Sequence, residues 1–370
     1  MKVVILGLSI TSSWGNGHAG NYRAMVRELA ARGHHVLFCE RDVPWYANSR
    51  DLRELRGAGL RLYGSLNELA EHAGGDIRTA DLVIVGSFLP EGTAVAEYVL
   101  SVAEGRTAFY DIDTPVTLEK LERGDDEYLR PDLIPRFDLY LSFTGGPTLM
   151  RLENAYGARR AVAFHCLVDP RSYVGTASRP VWELGYLGTY SPDRQPGLET
   201  LLLGPARILS DRSFVVAGAQ YPDQLEWPRN VARIEHVAPP RHQAFYSAQR
   251  FTLNLTRAAM RQAGWSPSVR LFEAAASGTP IISDSWPGIE EFFTPGVEII
   301  VADSAADVLR ALVETPAAQR QAIAARARQR VLREHTAARR VDQLEQELAG
   351  LTLRIPASGS RPRNGSSHSG

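Results

Sequence analysis

Short apolar runs alternate with amphipathic segments along the whole chain, and this alternation constrains the fold more than any other feature. A strand apolar on both faces must be covered on both. The chain that returns to lay down a parallel neighbour crosses over as a helix. In the first half the runs Val3–Leu8, His35–Cys39, Leu82–Val85, Thr107–Tyr110 and Leu139–Ser142 read as strands, with helical patterns at Asn21–Arg32 and Thr93–Ala103. The pattern then restarts. Strands read at Leu184–Leu187, Phe214–Ala217, Val231–His236, Phe251–Asn254, Pro280–Ser283 and Glu298–Val301. Helices read at 198–209, 241–248, 268–277, 305–314 and about 317–348. At 370 residues the chain is too long for one ordinary core. The expected fold is therefore α/β: two facing Rossmann-like domains with a cleft between them.

The boundary is expected near Pro170–Pro180, where DPRSYVGTASRP collects Pro, Gly and Ser. This gives an N-terminal domain over 1–172 and a C-terminal domain over 180–350. Residues 354–370 are rich in Gly, Ser and Pro and are expected to be a disordered tail. Such sheets bind ligands outside the carboxyl ends of their strands, so the loops there are where chemistry is sought.

Trp14–Asn21, WGNGHAGN, follows the first strand and opens a helix. Gly15, Gly17 and Gly20 have G-x-G-x-x-G spacing and allow close backbone approach to a ligand. Gly15, Asn16 and Gly17 are the expected loop for phosphate or for the second substrate. His18, inside the motif, is placed to bond a ligand hydroxyl or a phosphate; the plainer alternative is a helix-capping histidine. Glu40 and Asp42 after the second strand keep a dinucleotide-binding dehydrogenase open. At the end of another strand, YDIDTP places Asp111 and Asp113 two apart. Such a pair holds a metal ion, supplies a general base, or caps the next helix.

In the second half, Gly188, Thr189, Tyr190 and Arg194 of GTYSPDR mirror the first glycine loop. His236 ends a strand where backbone groups read the edge of a base. Arg257 lies at another strand's carboxyl end. The richest segment is Ser266–Glu291, SPSVRLFEAAASGTPIISDSWPGIEE. Ser266 and Ser268 suit a helix start, whose free N–H groups favour an anion, and Arg270 adds a forked cation. Glu273, three residues further on, shares that face. Cations and N–H groups there take phosphates, and the carboxylate takes ribose hydroxyls.

RLFEAAASGTPIISDSWPGIEEFF resembles the donor domain of glycosyltransferases with the GT-B fold. Within them it is similar to the CgeB-like branch, allied to the large family-4 group. The likeness extends to SSWGNGH and YLSFTGGPTL. GNGH also resembles the glycine-rich His loop of the peptidoglycan GlcNAc transferase. The resemblance implies transfer of a sugar from a nucleotide-diphosphate donor without an obligatory metal or other cofactor. Glu273 matches the family's ribose carboxylate, and Arg270 with Ser266–Ser268 matches positions near the diphosphate. The family places a second Glu eight residues earlier, where this chain has Trp265. The catalytic candidates are His18, Asp111 and Asp113.

The remaining features narrow the field. The formal charge of −1 gives no electrostatic case for nucleic acid or for a membrane surface. Two cysteines in so long a chain argue for a reducing, cytoplasmic setting. No run approaches the ~18–20 apolar residues of a membrane span, and MKVVILGLSI reads as a first buried strand, not a signal peptide. No Walker A loop, G-x-S-x-G elbow, H-E-x-x-H or paired CxxC is present. A nucleotide-sugar 2-epimerase and a non-catalytic nucleotide-sugar-binding protein share this expected architecture and stay open beside the transferase, whose acceptor is unknown.

Overall fold

A computed structural model describes residues 1–52, 54–174 and 179–351. The expected disordered tail, 354–370, and part of the expected domain boundary lie outside the described residues.

The first half runs β1 (Lys2–Gly7), α1 (His18–Ala31), β2 (His35–Arg41), α2 (Pro44–Ala47), β3 (Gly59–Tyr63), α3 (Leu66–Thr79) and β4 (Leu82–Gly86). It continues through α4 (Gly92–Val102), β5 (Arg106–Asp111), α5 (Thr114–Glu122), β6 (Leu139–Ser142), α6 (Pro147–Asn154) and β7 (Ala161–Ala163). All seven strands are parallel, in the order β3-β2-β1-β4-β5-β6-β7. The second half has β8 (Trp182–Leu187), α7 (Gln195–Leu198), a π turn at Glu199–Leu203, α8 (Gly204–Ile208), β9 (Phe214–Ala217), β10 (Val231–Ile234), α9 (His242–Ser247) and β11 (Gln249–Asn254). It ends with α10 (Ala258–Ala263), α11 (Val269–Ser277), β12 (Ile281–Ser283), β13 (Ile300–Val301), α12 (Ala305–Glu314), α13 (Ala317–Glu334) and α14 (Ala337–Gly350). Its six strands are also parallel, in the order β10-β9-β8-β11-β12-β13.

The central strands are apolar on both faces because helices cover both. β1 and β4 are buried almost throughout, Val3, Ile5 and Ile84 in one core and Val4, Leu6 and Val85 in another. Two strands fall outside the expected pattern. β3 is an edge strand with an open face, and β7 has three residues. The helix expected over about 317–348 is two helices. Thr336 interrupts it, its side chain accepting from the Arg339 N–H, and α14 then packs back against α1.

One apolar core runs from Val3 and Phe164 through Phe272 and Phe292 to Val341, so the two halves share packing. Hydrogen bonds stitch them together. Gly145 N–H donates to the Trp265 carbonyl at 2.9 Å, Thr144 and Ser266 hydroxyls meet at 2.8 Å, and α10 packs against α5. Arg340 of α14 donates to the His165 carbonyl at 3.0 Å. Burial and the charge on Arg340 push His165 down to about 3, so it stays neutral.

Candidate active site

Fourfold acceptance by one buried carboxylate shapes the first loop. Glu40, at the end of β2, is fully buried and takes hydrogen bonds from Ser9 Oγ, Ile10 N, Thr11 N and Thr11 Oγ1 at 2.6 to 3.0 Å. Those bonds fix the turn after β1 and fill the carboxylate, leaving nothing for a ribose. Asp42 pairs instead with Arg50 at 2.6 Å. The dehydrogenase reading loses Glu40, and Asp42 keeps an exposed side chain in its ion pair.

Further along the same loop, Gly15 has φ +61, a conformation that favours glycine. Asn16 accepts the His18 N–H at 2.8 Å and donates to the Ser12 carbonyl, so Asn16 braces the turn that leads into α1. Gly17 and Gly20 have open space where a side chain would stand. The glycines made necessary by packing are others. A Cβ on Gly7 would lie 2.6 Å from Phe38 and 2.8 Å from Tyr22, and one on Gly86 would strike the Tyr22 hydroxyl.

The Asp111–Asp113 pair divides into two environments. Asp111 is fully buried and accepts from Tyr140 OH at 2.6 Å and Thr117 Oγ1 at 2.7 Å. Burial raises its pKa to about 6 against those hydrogen bonds. Asp113 has a side chain 22% exposed and lies 3.4 Å from His18 Nε2. The other ring nitrogen of His18 is buried with no hydrogen-bond partner, and Phe88 and Tyr22 rings flank it. The sequence therefore brings His18 and Asp113 together across 95 residues. Among the described residues no three His, Cys, Asp or Glu side chains are grouped to hold a metal ion.

The second domain gathers cations at the carboxyl ends of β8 and β11. Arg194 is buried and donates Nη2 to the Thr189 carbonyl at 2.7 Å. Burial, then Arg270 and Arg257, lowers its pKa, so the three guanidinium groups share one neighbourhood. Arg270 donates Nη2 to the Leu255 carbonyl at 2.9 Å and lies over the Tyr186 ring. Arg194 Nε, Arg270 Nε and the Tyr186 hydroxyl are all buried without a hydrogen-bond partner. Ser268 caps α11, its Oγ accepting from Arg270 N at 3.3 Å. Ser266, expected beside it, is fully buried and spends its hydroxyl on Thr144 of the other domain.

Gly188 packs under the Tyr186 hydroxyl, where a Cβ would collide, and Tyr190 rests edge-on against Tyr221. His236 is exposed just past β10. Glu273, on α11, is held by Tyr246 OH at 3.1 Å, by the Tyr173 hydroxyl and by His242. Burial opposes its charge, yet these partners bring its pKa below the ordinary carboxylate value. Cys166, at the start of the connection between the halves, senses both sides. Burial pushes its thiol up to about 12, and Asp113 of one domain and Glu273 of the other add to that rise.

Trp265, at the position where the resemblance implies a carboxylate, has φ +45 and lies between Gly146 and Gly288. Its indole N–H donates to Glu291 at 2.6 Å. Beside the arginines a cavity of about 820 Å³ opens, lined by Asp193, Thr256, Arg261, Trp286 and Glu290, with walls from the second domain alone. The residues that sequence reasoning missed are His242, Tyr246, Tyr173 and Tyr186; each read as an ordinary helix, strand or connection residue.

Residues 194–346 match the model of a family described as glycosyl transferase-like. No curated protein sequence matches the chain. Among solved structures, the sucrose-phosphate synthase of Thermosynechococcus elongatus is similar at 14% identity, covering 94% of this chain and 99% of that one, with a TM-score of 0.66. HepE of Anabaena, solved in complex with UDP and glucose, is similar at 14% identity over 95% of this chain and 100% of that one, with a TM-score of 0.69. An alpha-glucosyltransferase in complex with UDP-glucose and DNA containing an abasic site is similar at 13% identity over 94% and 99%, with a TM-score of 0.70. Two parallel-stranded α/β halves facing each other across a cleft, matched by these structures over nearly their full length, give this chain the GT-B fold.

Proposed function

We propose that the protein is a glycosyltransferase that moves a sugar from a nucleoside-diphosphate donor to an acceptor hydroxyl. One observation carries this reading: Arg194, Arg257 and Arg270 converge with three buried donor atoms left unpartnered. Buried donors without acceptors are costly, and a diphosphate supplies acceptor oxygens and the opposite charge in one ligand. The cap end of α11 adds N–H groups to the same place. In this assignment the arginines take the charge that a metal would otherwise meet. The matched glycosyl transferase-like region includes all three, and the RLFEAAASGTP segment supports the CgeB-like branch.

The donor docks on the second domain and the acceptor on the first. Asp113, more open than the 9%-exposed His18 behind it, meets the acceptor hydroxyl and takes its proton. The acceptor oxygen bonds to the anomeric carbon as the bond from that carbon to the diphosphate breaks. The leaving diphosphate gathers negative charge, which the arginines and the α11 N–H groups stabilise. Asp111, its oxygens already occupied, supports Asp113 from behind. HepE is seen with UDP-glucose, so UDP-glucose is the first donor to try.

Calorimetry with UDP, GDP and ADP tests the assignment. Arg194→Ala and Arg270→Ala are each expected to weaken the preferred diphosphate by about tenfold or more. Asp113→Asn is expected to leave that affinity in place and lower transfer by about 10²–10⁴-fold. Unchanged diphosphate affinity in both arginine variants sinks the donor site. Product formed without any acceptor points to an epimerase instead.

A further inference from the structure

His242 has no role in the mechanism above, yet it stands beside the carboxylate assigned to the ribose. Its Nε2 lies 3.0 Å from the Val237 carbonyl oxygen, just past β10. Its Nδ1 lies 3.4 Å from Glu273 Oε2, a charge contact too poorly directed to make a hydrogen bond. Both neighbours are acceptors, an arrangement that favours N–H on both sides of the ring and its protonated form. Burial disfavours that charge, but Glu273 and the Val237 carbonyl outweigh it and raise the His242 pKa. The groups around the ring are Glu273 from α11, Tyr246 from its own helix and, on the same carboxylate, Tyr173 from the connection. The result is a buried Nδ1–H with no bonded acceptor, adjacent to a carboxylate whose side chain is still 14% exposed.

We infer that His242 and Glu273 form a two-sided clamp for the ribose diol of the donor. Glu273 accepts a hydrogen bond from a ribose hydroxyl, and His242 Nδ1–H donates to a hydroxyl oxygen of the same diol. A carboxylate alone accepts from a diol. A carboxylate next to an N–H without a hydrogen-bonded acceptor offers both halves of the exchange, and a sugar lacking one hydroxyl leaves one of these hydrogen-bonding groups unmet. The clamp therefore selects ribonucleotides over 2′-deoxyribonucleotides, and the Val237 carbonyl ties it to the strand end where the base would lie. This inference rests on the nucleotide-site reading above.

The test uses whichever of UDP, GDP and ADP binds the intact protein most tightly, against its 2′-deoxy counterpart, by calorimetry. Wild type is expected to prefer the ribonucleotide by about tenfold to a hundredfold, the discrimination typical of a site built to bond one hydroxyl. His242→Ala is expected to reduce that preference to about threefold or less by weakening the ribonucleotide alone. His242→Gln, which retains a donor, recovers part of it and guards against a folding defect in the first variant. A ribo-to-deoxy ratio unchanged in both His242 variants, with Glu273→Gln abolishing it, overturns the role of His242 and leaves the nucleotide site standing. Failure of all three diphosphates to bind wild type overturns the nucleotide site and the clamp together.

Discussion

Arg194 carries a charge that its surroundings disfavour: burial first, then two neighbouring guanidinium groups, lower its pKa. Among the described residues none of Arg194, Arg257 and Arg270 forms a salt bridge. Holding an unpaired charge out of water costs several kcal/mol, so the site spends stability that a bound anion returns. Arg194→Met should therefore lose diphosphate binding while the apo Tm stays within about 2 °C of wild type or rises; differential scanning calorimetry decides, and a large fall would show that the fold already satisfies this charge. Asp111 presents the same economy with opposite sign. Its carboxyl titrates near 6 in the folded chain against 3.8 for the unperturbed group. The folded state thus holds this proton more tightly than the unfolded chain does. That contribution to stability is complete below about pH 3.8 and is lost as pH rises through about 6. Chemical denaturation of Asp111→Asn between those values should show a flatter pH dependence than wild type.

Elements differ in how openly the sequence declares them. β1 and β4 are continuous apolar runs because both faces are covered, and their positions follow from that. β3 shows little apolar signal because its outer face meets solvent at the sheet edge, and β7 is too short to carry a period. The amphipathic pattern of α13 passes through His335–Thr336 into α14, so the break is invisible without the tertiary contact that turns the chain there. In the site, Arg194, Arg270, Glu273 and His18 stood out as charged or glycine-flanked residues in loops after strands or in the first turns of helices. His242 did not, because its partner is 31 residues away on another helix. The glycine loop misdirects in an instructive way: its spacing draws the eye to Gly17 and Gly20, whereas Gly7 and Gly86 accommodate Tyr22. Gly86→Ala should cost about 1–3 kcal/mol by overpacking. Gly20→Ala, inside α1 with open space around it, should stabilise by about 0.5–1 kcal/mol. Urea denaturation of the two variants separates the effects.

Across the whole molecule, the halves are joined by their shared apolar core and by hydrogen bonds near the candidate site. Trp265 makes one of these contacts: its carbonyl takes the Gly145 N–H, and its ring occupies the space that Gly146 and Gly288 leave open. Where the sequence resemblance implies a carboxylate, this chain has a residue that joins the halves. Trp265→Ala should loosen this contact without touching the arginines. Small-angle scattering is expected to show a larger radius of gyration for the variant than for wild type, with added nucleoside diphosphate narrowing the gap; identical profiles would show that the other contacts hold the halves alone.

The chain passes between the halves twice, after β7 and again between α13 and α14. The two passages are bonded side by side, Val168 N–H to the His335 carbonyl and Ala337 N–H to the Val168 carbonyl, each at 3.0 Å. Two ribbons joined edge to edge behave as a flat strap: they flex across their width and resist twisting or sideways shear. An opening that broke the shared packing of the halves would hinge at this strap, and on closing would return His18 and Asp113 to the same register with Arg194 and Arg270.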